Sequence, residues 1–430
     1  MRQRTIHNLI SAIVIAITTG ALVLAMGSKT GMGGVAMASL ASGIVAVTCI
    51  VIACIIWADR TSFSARYTDM TSDTASESGF IRSYRMGRVT KIAFIIFLLA
   101  LVVILFGFSL SAGIDGLSFA HAYGIVIDHL GGKTFATGTS DWFHDILIWD
   151  SQLPRTIVAI IAGAGLAVGG AVMQGVVKNP LADPYTTGIS SGAVLGATMA
   201  IVLGMTMTGT GQYGLILNAF VFSLIPAGIM IAVSRISSGS PATIILVGTA
   251  VSCIFSAFST LIMMMADELA MKNAFVWTVG SLSGATWSYI PMMLIMVLAG
   301  SSVLFAMSDK MNLLMTGDDS AKAMGLDVET FRMVCLVILS LVTASIVSFI
   351  GLVGFLGLIA PHMVRLILGS DTRLVIPASA AMGAAFMLLA DVISRILATG
   401  DMPVGVVFSF IGGPLFLLLI MRTRREAWQQ

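Results

Sequence analysis

Charge is scarce in this chain. Asp, Glu, Lys and Arg together make up 10% of its 430 residues, against about 25% in a soluble globular domain, and so large a deficit excludes a soluble fold for most of its length. Cysteine is sparse as well. Cys49, Cys54, Cys253 and Cys335 lie inside apolar segments, with no C-x-x-C spacing and no partnering histidines; this argues against a disulfide scaffold or a thiolate metal site and leaves them as small buried hydrophobes. A phosphate-binding loop is also missing: Gly27-Ser28-Lys29-Thr30 lacks the upstream glycine at the spacing such a loop requires. If ATP drives this protein, a separate ATPase hydrolyses it. The chain itself is read as no enzyme, with no cofactor.

What it has in abundance is apolar sequence, 57% of residues at a mean hydropathy of +0.99. The apolar residues fall into runs near the ~20 that cross a bilayer core: 9–26, 35–57, 92–111, 157–177, a small-residue run after Pro184, then 214–233, 242–265, 289–307, 331–350, 352–368, 375–397 and 404–421. The prediction is an all-α polytopic membrane protein with about twelve transmembrane helices. With the amino terminus inside, Arg2, Arg4, the basic group of 60–91, Lys178, Arg235, Lys310, Lys322, Arg332, Arg365, Arg373, Arg422, Arg424 and Arg425 face the cytoplasm. Only Lys29, Lys133, Arg155, Lys272 and Arg395 remain outside or near it. That bias fixes span count and orientation together, because dropping one helix would invert every later loop. A multi-pass protein of the cell membrane with both termini cytoplasmic is expected. Residues 1–58 read as a retained transmembrane hairpin rather than a cleaved signal peptide, 59–91 as a polar cytoplasmic linker, and 92–430 as the main membrane unit.

Between the third span and Gln152 lies an acidic loop. Asp115, Asp128, Asp141, Asp145 and Asp150 face only Lys133 there. His121, His129 and His144 stand among them at spacings that match no standard ligand motif, so the loop is read as solvated and without a metal.

The stretch from Leu153 to Ala193 organises the rest. Gly163, Gly165, Gly169 and Gly170 are expected to keep one side of its first helix almost free of side chains, so that another backbone can approach closely. The helix ends at a polar break, Asn179-Pro180 and Asp183-Pro184, where each proline pushes the preceding residue out of helical geometry and Asn and Asp bond the turn. Further on, small residues at Thr243, Gly248, Ser252, Ser256 and Ser259 mark one helix, and Lys310 to Thr330 forms a polar stretch broken at Gly317 and Gly325. Asp318 or Asp319 suits a helix N-terminus there.

These segments carry a resemblance. LPRT, GAGLAVGGAVMQ, NPLADP and GISSGA, followed by the 277–287 stretch, LMTG, Ala321 to Gly325, GLVGFLGLIAPHMVR, GSDTR, AD-x-x-x-R and PVGVVFSFIGGPLFLLLI, resemble in order and spacing the FecCD family. These are permease subunits of ABC importers for vitamin B12, iron-siderophores and haem. The resemblance runs from about Ile92 to the C-terminus and implies a ten-helix permease core. It further implies a second permease subunit, two ABC ATPases, an extracytoplasmic solute-binding protein and a metal-chelate substrate, with no nucleic acid. By resemblance, Leu314, Gly317, Asp318, Asp319, Ala321, Gly325 and Leu326 couple to the ATPase. Arg155 and Arg395 dock the binding protein, with Gln152 standing where the family has a further arginine. The helix of Thr243, Gly248, Ser252, Ser256 and Ser259 lines the translocation path. Asn179, Pro180, Asp183, Pro184, Pro361 and His362 are structural, the last two at a helix start. Asp391, four residues before Arg395, can instead pair with it on one helix face. The alternative class is an ion-gradient-driven secondary transporter or channel acting without an ATPase. It is disfavoured because such proteins usually need intramembrane ionisable residues, and the spans hold almost none apart from Asp391 and Arg395.

Overall fold

A computed structural model describes residues 77–114, 117–209, 211–236, 241–397 and 402–427. The hairpin 1–58 and linker residues 59–76 lie outside the described residues. Helices account for the regular structure of the described residues. They are α1 (Glu77–Ser111), α2 (Phe119–Leu130), α3 (Ser140–Ile146), α4 (Leu153–Val177), α5 (Ile189–Leu203), α6 (Gln212–Ile236), α7 (Pro241–Met264), α8 (Glu268–Val279), α9 (Tyr289–Ala306), α10 (Ser308–Met315), α11 (Asp318–Ala323), α12 (Val328–Ile350), α13 (Leu356–Leu368), α14 (Thr372–Leu397) and α15 (Val404–Ala427). Seven segments, in α1, α3–α4, α6, α7, α9, α12 and α14, are long and apolar enough to cross a membrane, and α5, α13 and α15 supply shorter apolar helices.

The centre is α4, almost wholly buried along its length. In lipid, helices gain nothing from hiding apolar surface, so close packing has to hold them together. Glycines supply it. A Cβ on Gly163 would lie 2.4 Å from the Gly383 carbonyl oxygen of α14, and one on Gly170 would lie 1.7 Å from the Gly357 oxygen of α13. Gly165 faces Ile346 of α12 and Val297 of α9, and Gly169 faces Pro184 and Thr343. The expectation of one bare side is therefore corrected: the helical period sends Gly163 and Gly170 to one face and Gly165 and Gly169 to another, so α4 meets neighbours all round.

Three further boundaries differ from expectation. The last part of the expected linker is helical, because α1 begins at Glu77 and carries Arg82, Arg85 and Arg88 ahead of its apolar segment Val89–Ser111. The expected span 352–368 is irregular up to Phe355, which sits in the left-handed region at φ 67°. Helix α13 is thus 13 residues, about 20 Å long. Pro361 is inside α13, not at its start. Its missing N–H leaves the Gly357 carbonyl without its helical bond, and that carbonyl is the one against which Gly170 packs.

Candidate functional site

Polar side chains gather at the two ends of α4, near Arg155 and near Val176, about 32 Å apart at the helical rise. At the Val176 end, Lys178 closes α4 in a left-handed conformation, φ 53°, and its ammonium pairs with Asp318 at the start of α11. Arg332 of α12, 2% exposed, donates from Nε to the Val176 carbonyl at 3.1 Å and from a terminal nitrogen to both Asp318 oxygens at 3.1 Å. Burial pushes the Asp318 carboxyl up, but the hydrogen bonds and charges of Lys178 and Arg332 outweigh it and hold its pKa below the usual carboxylate value. Helix α10 is fastened to the start of α14 by a reciprocal pair: Asn312 Nδ2 donates to Asp371 at 2.8 Å, and the Thr372 N–H donates to Asn312 Oδ1 at 2.8 Å. Arg373 pairs with Asp309 beside it. Arg365 of α13 reaches back to the Ala171 carbonyl at 2.8 Å.

The two short helices that these bonds hold have an inner and an outer side. Met311, Leu314 and Ala321 are fully buried in a cluster with Val172, Val176, Phe331 and Leu336. Asp319, Ser320, Lys322, Ala323, Met324 and Gly325 are exposed, and Leu326 is half-buried. Of the seven residues expected to couple, Leu314 and Ala321 therefore face this chain's own core, where they support the segment. The breaks fall where glycines were expected to put them, with Gly317 at φ 127° and Gly325 at φ 88°. Since both lie in the region that disfavours side chains, a substitution at either glycine strains the backbone.

The break after α4 is built from local bonds. The Leu181 N–H donates to Asn179 Oδ1 and the Tyr185 N–H to Asp183 Oδ1, each at 2.9 Å. Asp183 thereby caps a short 3-10 turn, Pro184–Thr187, and Pro180 stays exposed. Gly188 follows at φ 88°, packed on Pro226. His362 is 8% exposed within α13, and its Nε2 has no hydrogen-bond partner.

On α7, the five small residues do not share one face. Gly248 packs directly on the break, its Cβ position 2.2 Å from the Thr186 carbonyl. Ser252 and Ser259 return their hydroxyls to the Gly248 and Phe255 carbonyls, at 2.8 and 2.9 Å, while Thr243 is half-buried. Ser256 is exposed together with Thr249, Cys253 and Thr260, at spacings that form a second polar stripe. Helical spacing counted from Ser256 would have found it. Cys253 is consequently exposed where a buried thiol was expected, whereas Cys335 is buried; Cys49 and Cys54 lie outside the described residues.

At the Arg155 end, Asp391 of α14 is fully buried. Arg155 Nε donates to its Oδ1 at 2.8 Å, Arg395 pairs with its Oδ2, and Ser109 of α1 donates to Oδ2 at 3.4 Å. Arg395 also donates to the Ser109 carbonyl at 2.8 Å and to Gln152 Oε1. Ser109 shares a hydrogen bond with Thr156 at 2.8 Å. The side chains of Arg155 and Arg395 are 8% and 4% exposed, so both arginines expected at a docking surface are turned inward. The i, i+4 pair legible in the sequence exists, and Arg155 joins it from a residue 236 positions away. Near this end, Trp287 donates from its indole to the Trp149 carbonyl at 2.8 Å. The acidic loop beside it folds into α2 and α3, which bring His121, Asp141 and His144 together and set His129 against Asp145 at 2.7 Å.

With this geometry in view, comparison with known proteins gives one answer. Residues 101–422 match the FecCD transport family. A hemin transport system permease protein of Yersinia pestis is 33% identical over 342 residues, 79% of this chain and 98% of that protein. A cobalamin import system permease protein of Halobacterium salinarum is 38% identical over 276 residues, 64% of this chain and 73% of that protein. Among solved structures, a metal-chelate type ABC transporter in an inward-facing conformation superposes with a TM-score of 0.66 at 28% identity, covering 76% of this chain and 98% of the other.

Proposed function

This chain belongs to the FecCD transport family of ABC transporter permeases, and from that premise we propose that it is the membrane subunit of an importer for a metal chelate of the iron-siderophore, haem or cobalamin type. In this reading two permease subunits face each other across a path to which the Thr249, Cys253, Ser256 and Thr260 side of α7 contributes. Two ATPase subunits act from the cytoplasm, and a solute-binding protein delivers the chelate from outside. Both termini are cytoplasmic, and 1–58 is a membrane hairpin added ahead of the permease core.

The observation that carries this assignment is the short helix pair α10–α11. Its inner residues are locked to α4, α12 and α14, and its outer residues are left open in a small polar patch. A segment fixed on one side and free on the other can pass a push from a soluble subunit directly to the central helix. Asp318 is the tether of that device, and Asp319, Lys322, Ala323 and Met324 are its contact surface. At the opposite end, Arg155 and Arg395 act in docking through the shape they impose on α4 and α14, since Asp391 already engages their charges.

The test is reconstitution. Proteoliposomes holding the full chain with its ATPase should take up one of the three chelate classes only when ATP and the loaded binding protein are both supplied. The isolated chain should show no ATP hydrolysis. Uptake without the ATPase, or hydrolysis by the purified single chain, would overturn the reading.

A further inference from the structure

We propose that His121, Asp141 and His144 form a binding site for a divalent first-row transition-metal cation, distinct from any transported chelate and independent of the transport reading above. The three side chains come from two short helices held rigidly. Ser118 caps α2 by accepting from the His121 N–H, and Thr139 caps α3 by accepting from the Trp142 N–H. Ala122 and Ile125 of α2 and Ile148 just beyond α3 are anchored in a buried cluster with Leu110 and Leu153. Asp141 and His144, three residues apart on α3, lie on one helix face, and α2 brings His121 to them.

The geometry is close to what a metal requires. One ligand atom from each residue lies within 4.8 Å of the other two, and His121 Nε2 stands 3.3 Å from Asp141 Oδ1. Ligands about 2.0–2.1 Å from a tetrahedral ion are about 3.4 Å apart, so small side-chain rotations close the set. A second observation points the same way. His144 is 8% exposed and its Nδ1 is buried without a hydrogen-bond partner, an arrangement native structures rarely leave unexplained. Two imidazoles and one carboxylate form a donor set suited to Zn²⁺, Co²⁺, Ni²⁺ or Cu²⁺ rather than to Mg²⁺ or Ca²⁺. Three protein ligands leave a fourth position for water. The neighbouring His129 is committed to Asp145 and stacks on Trp149 at 3.9 Å, which sets it apart from the site.

The sequence hid this site because the histidines are 23 residues apart and the relevant aspartate follows neither at a standard spacing. Only the turn from α2 into α3 unites them.

The experiment uses the full chain in detergent, purified with a histidine-free tag and stripped by chelator. Added Co²⁺ should bind one ion per chain with the visible absorption of a tetrahedral site, and Zn²⁺ should displace it. His144→Ala should weaken Co²⁺ binding on the order of 100-fold or more, a loss at least as large as a removed outer-shell partner causes. His129→Asn should leave it unchanged. If His144→Ala fails to fold, His121→Asn, at a half-exposed side chain, gives the same reading in an intact protein. No saturable binding by the wild-type chain, or wild-type affinity in the His121 and His144 variants, would overturn the proposal.

Discussion

Asp318 and Asp391 are alike in composition and opposite in setting. Each carboxylate is flanked by two basic side chains, Lys178 and Arg332 for the first, Arg155 and Arg395 for the second. Asp391 is fully buried between α4 and α14, whereas the Asp318 side chain is 36% exposed at the edge of α11. Burial, rather than pairing, separates them. A buried group of one acid and two bases cannot lose its acid without stranding two charges in a medium that solvates neither. The half-exposed Asp318 can be lost at smaller cost, because Lys178 reaches water and the buried Arg332 still holds the Val176 carbonyl. The protein thus has a lock at one end of its central helix and a releasable tether at the other, which suits a machine that must hold its helices together while one surface segment is pushed.

The largest effect expected from this contrast is at the lock. Asp391→Ala should destabilise the chain by about 3–5 kcal/mol, the usual result of stripping one partner from a buried ion pair, read as a lowered thermal midpoint in detergent. Replacing Asp391, Arg155 and Arg395 together by leucine should recover most of that loss. A triple variant as unstable as Asp391→Ala would show that the arginines act through their other bonds.

Next in size is the spacing between the two ends. Gly170→Ala forces a methyl group against the Gly357 carbonyl and should cost about 1–3 kcal/mol by overpacking. Gly175→Ala, whose nearest neighbour would be the Arg365 guanidinium at 3.7 Å, should be close to neutral. Equal midpoints for the two variants would mean that α4 and α13 are not held at backbone contact.

The smallest effect on stability belongs to the tether. Asp318→Ala should cost about 1–2 kcal/mol, because Lys178 can turn to water while Arg332, itself buried, keeps only its bond to the Val176 carbonyl among those described above, and it should make residues 308–327 more open to limited proteolysis. Its pH dependence follows from the lowered pKa. A carboxylate whose folded pKa lies below its unfolded value, about 3.9, contributes stability that is fully present above that value and is lost as pH falls through the folded pKa. Cleavage of the wild-type segment should therefore be flat from about pH 8 to 5 and rise only in stronger acid. A rise between neutrality and pH 5 would assign the tether to another group.

Much of this architecture could be read from the chain, and what could not follows a rule. The span at 289–307 is observed as Tyr289–Ala306, the breaks at Gly317 and Gly325 fall where a polar stretch interrupts helical spacing, and Asn179 and Asp183 cap the turn they were expected to cap. Those features are local, written in residues a few positions apart. The bonds that give them meaning are not. Lys178 meets Asp318 across 140 residues, Arg332 meets Val176 across 156, and Arg155 meets Asp391 across 236. No periodicity encodes such pairs. For the same reason the arginines were expected at the surface, and the glycines of α4 on one face, until their neighbours were in place.

In the proposed arrangement the outer side of α10–α11 receives the ATPase while its inner side is already occupied by this chain. Met324, 55% exposed and beyond the end of α11, tests it most directly, because an arginine there meets nothing inside the protein and keeps an ordinary backbone conformation. The measurement is co-purification of the ATPase with Met324→Arg beside its thermal midpoint in the same detergent. The prediction is an unchanged midpoint, loss of the bound ATPase and loss of ATP-driven uptake. Full retention of both ATPase and uptake by this variant would contradict it.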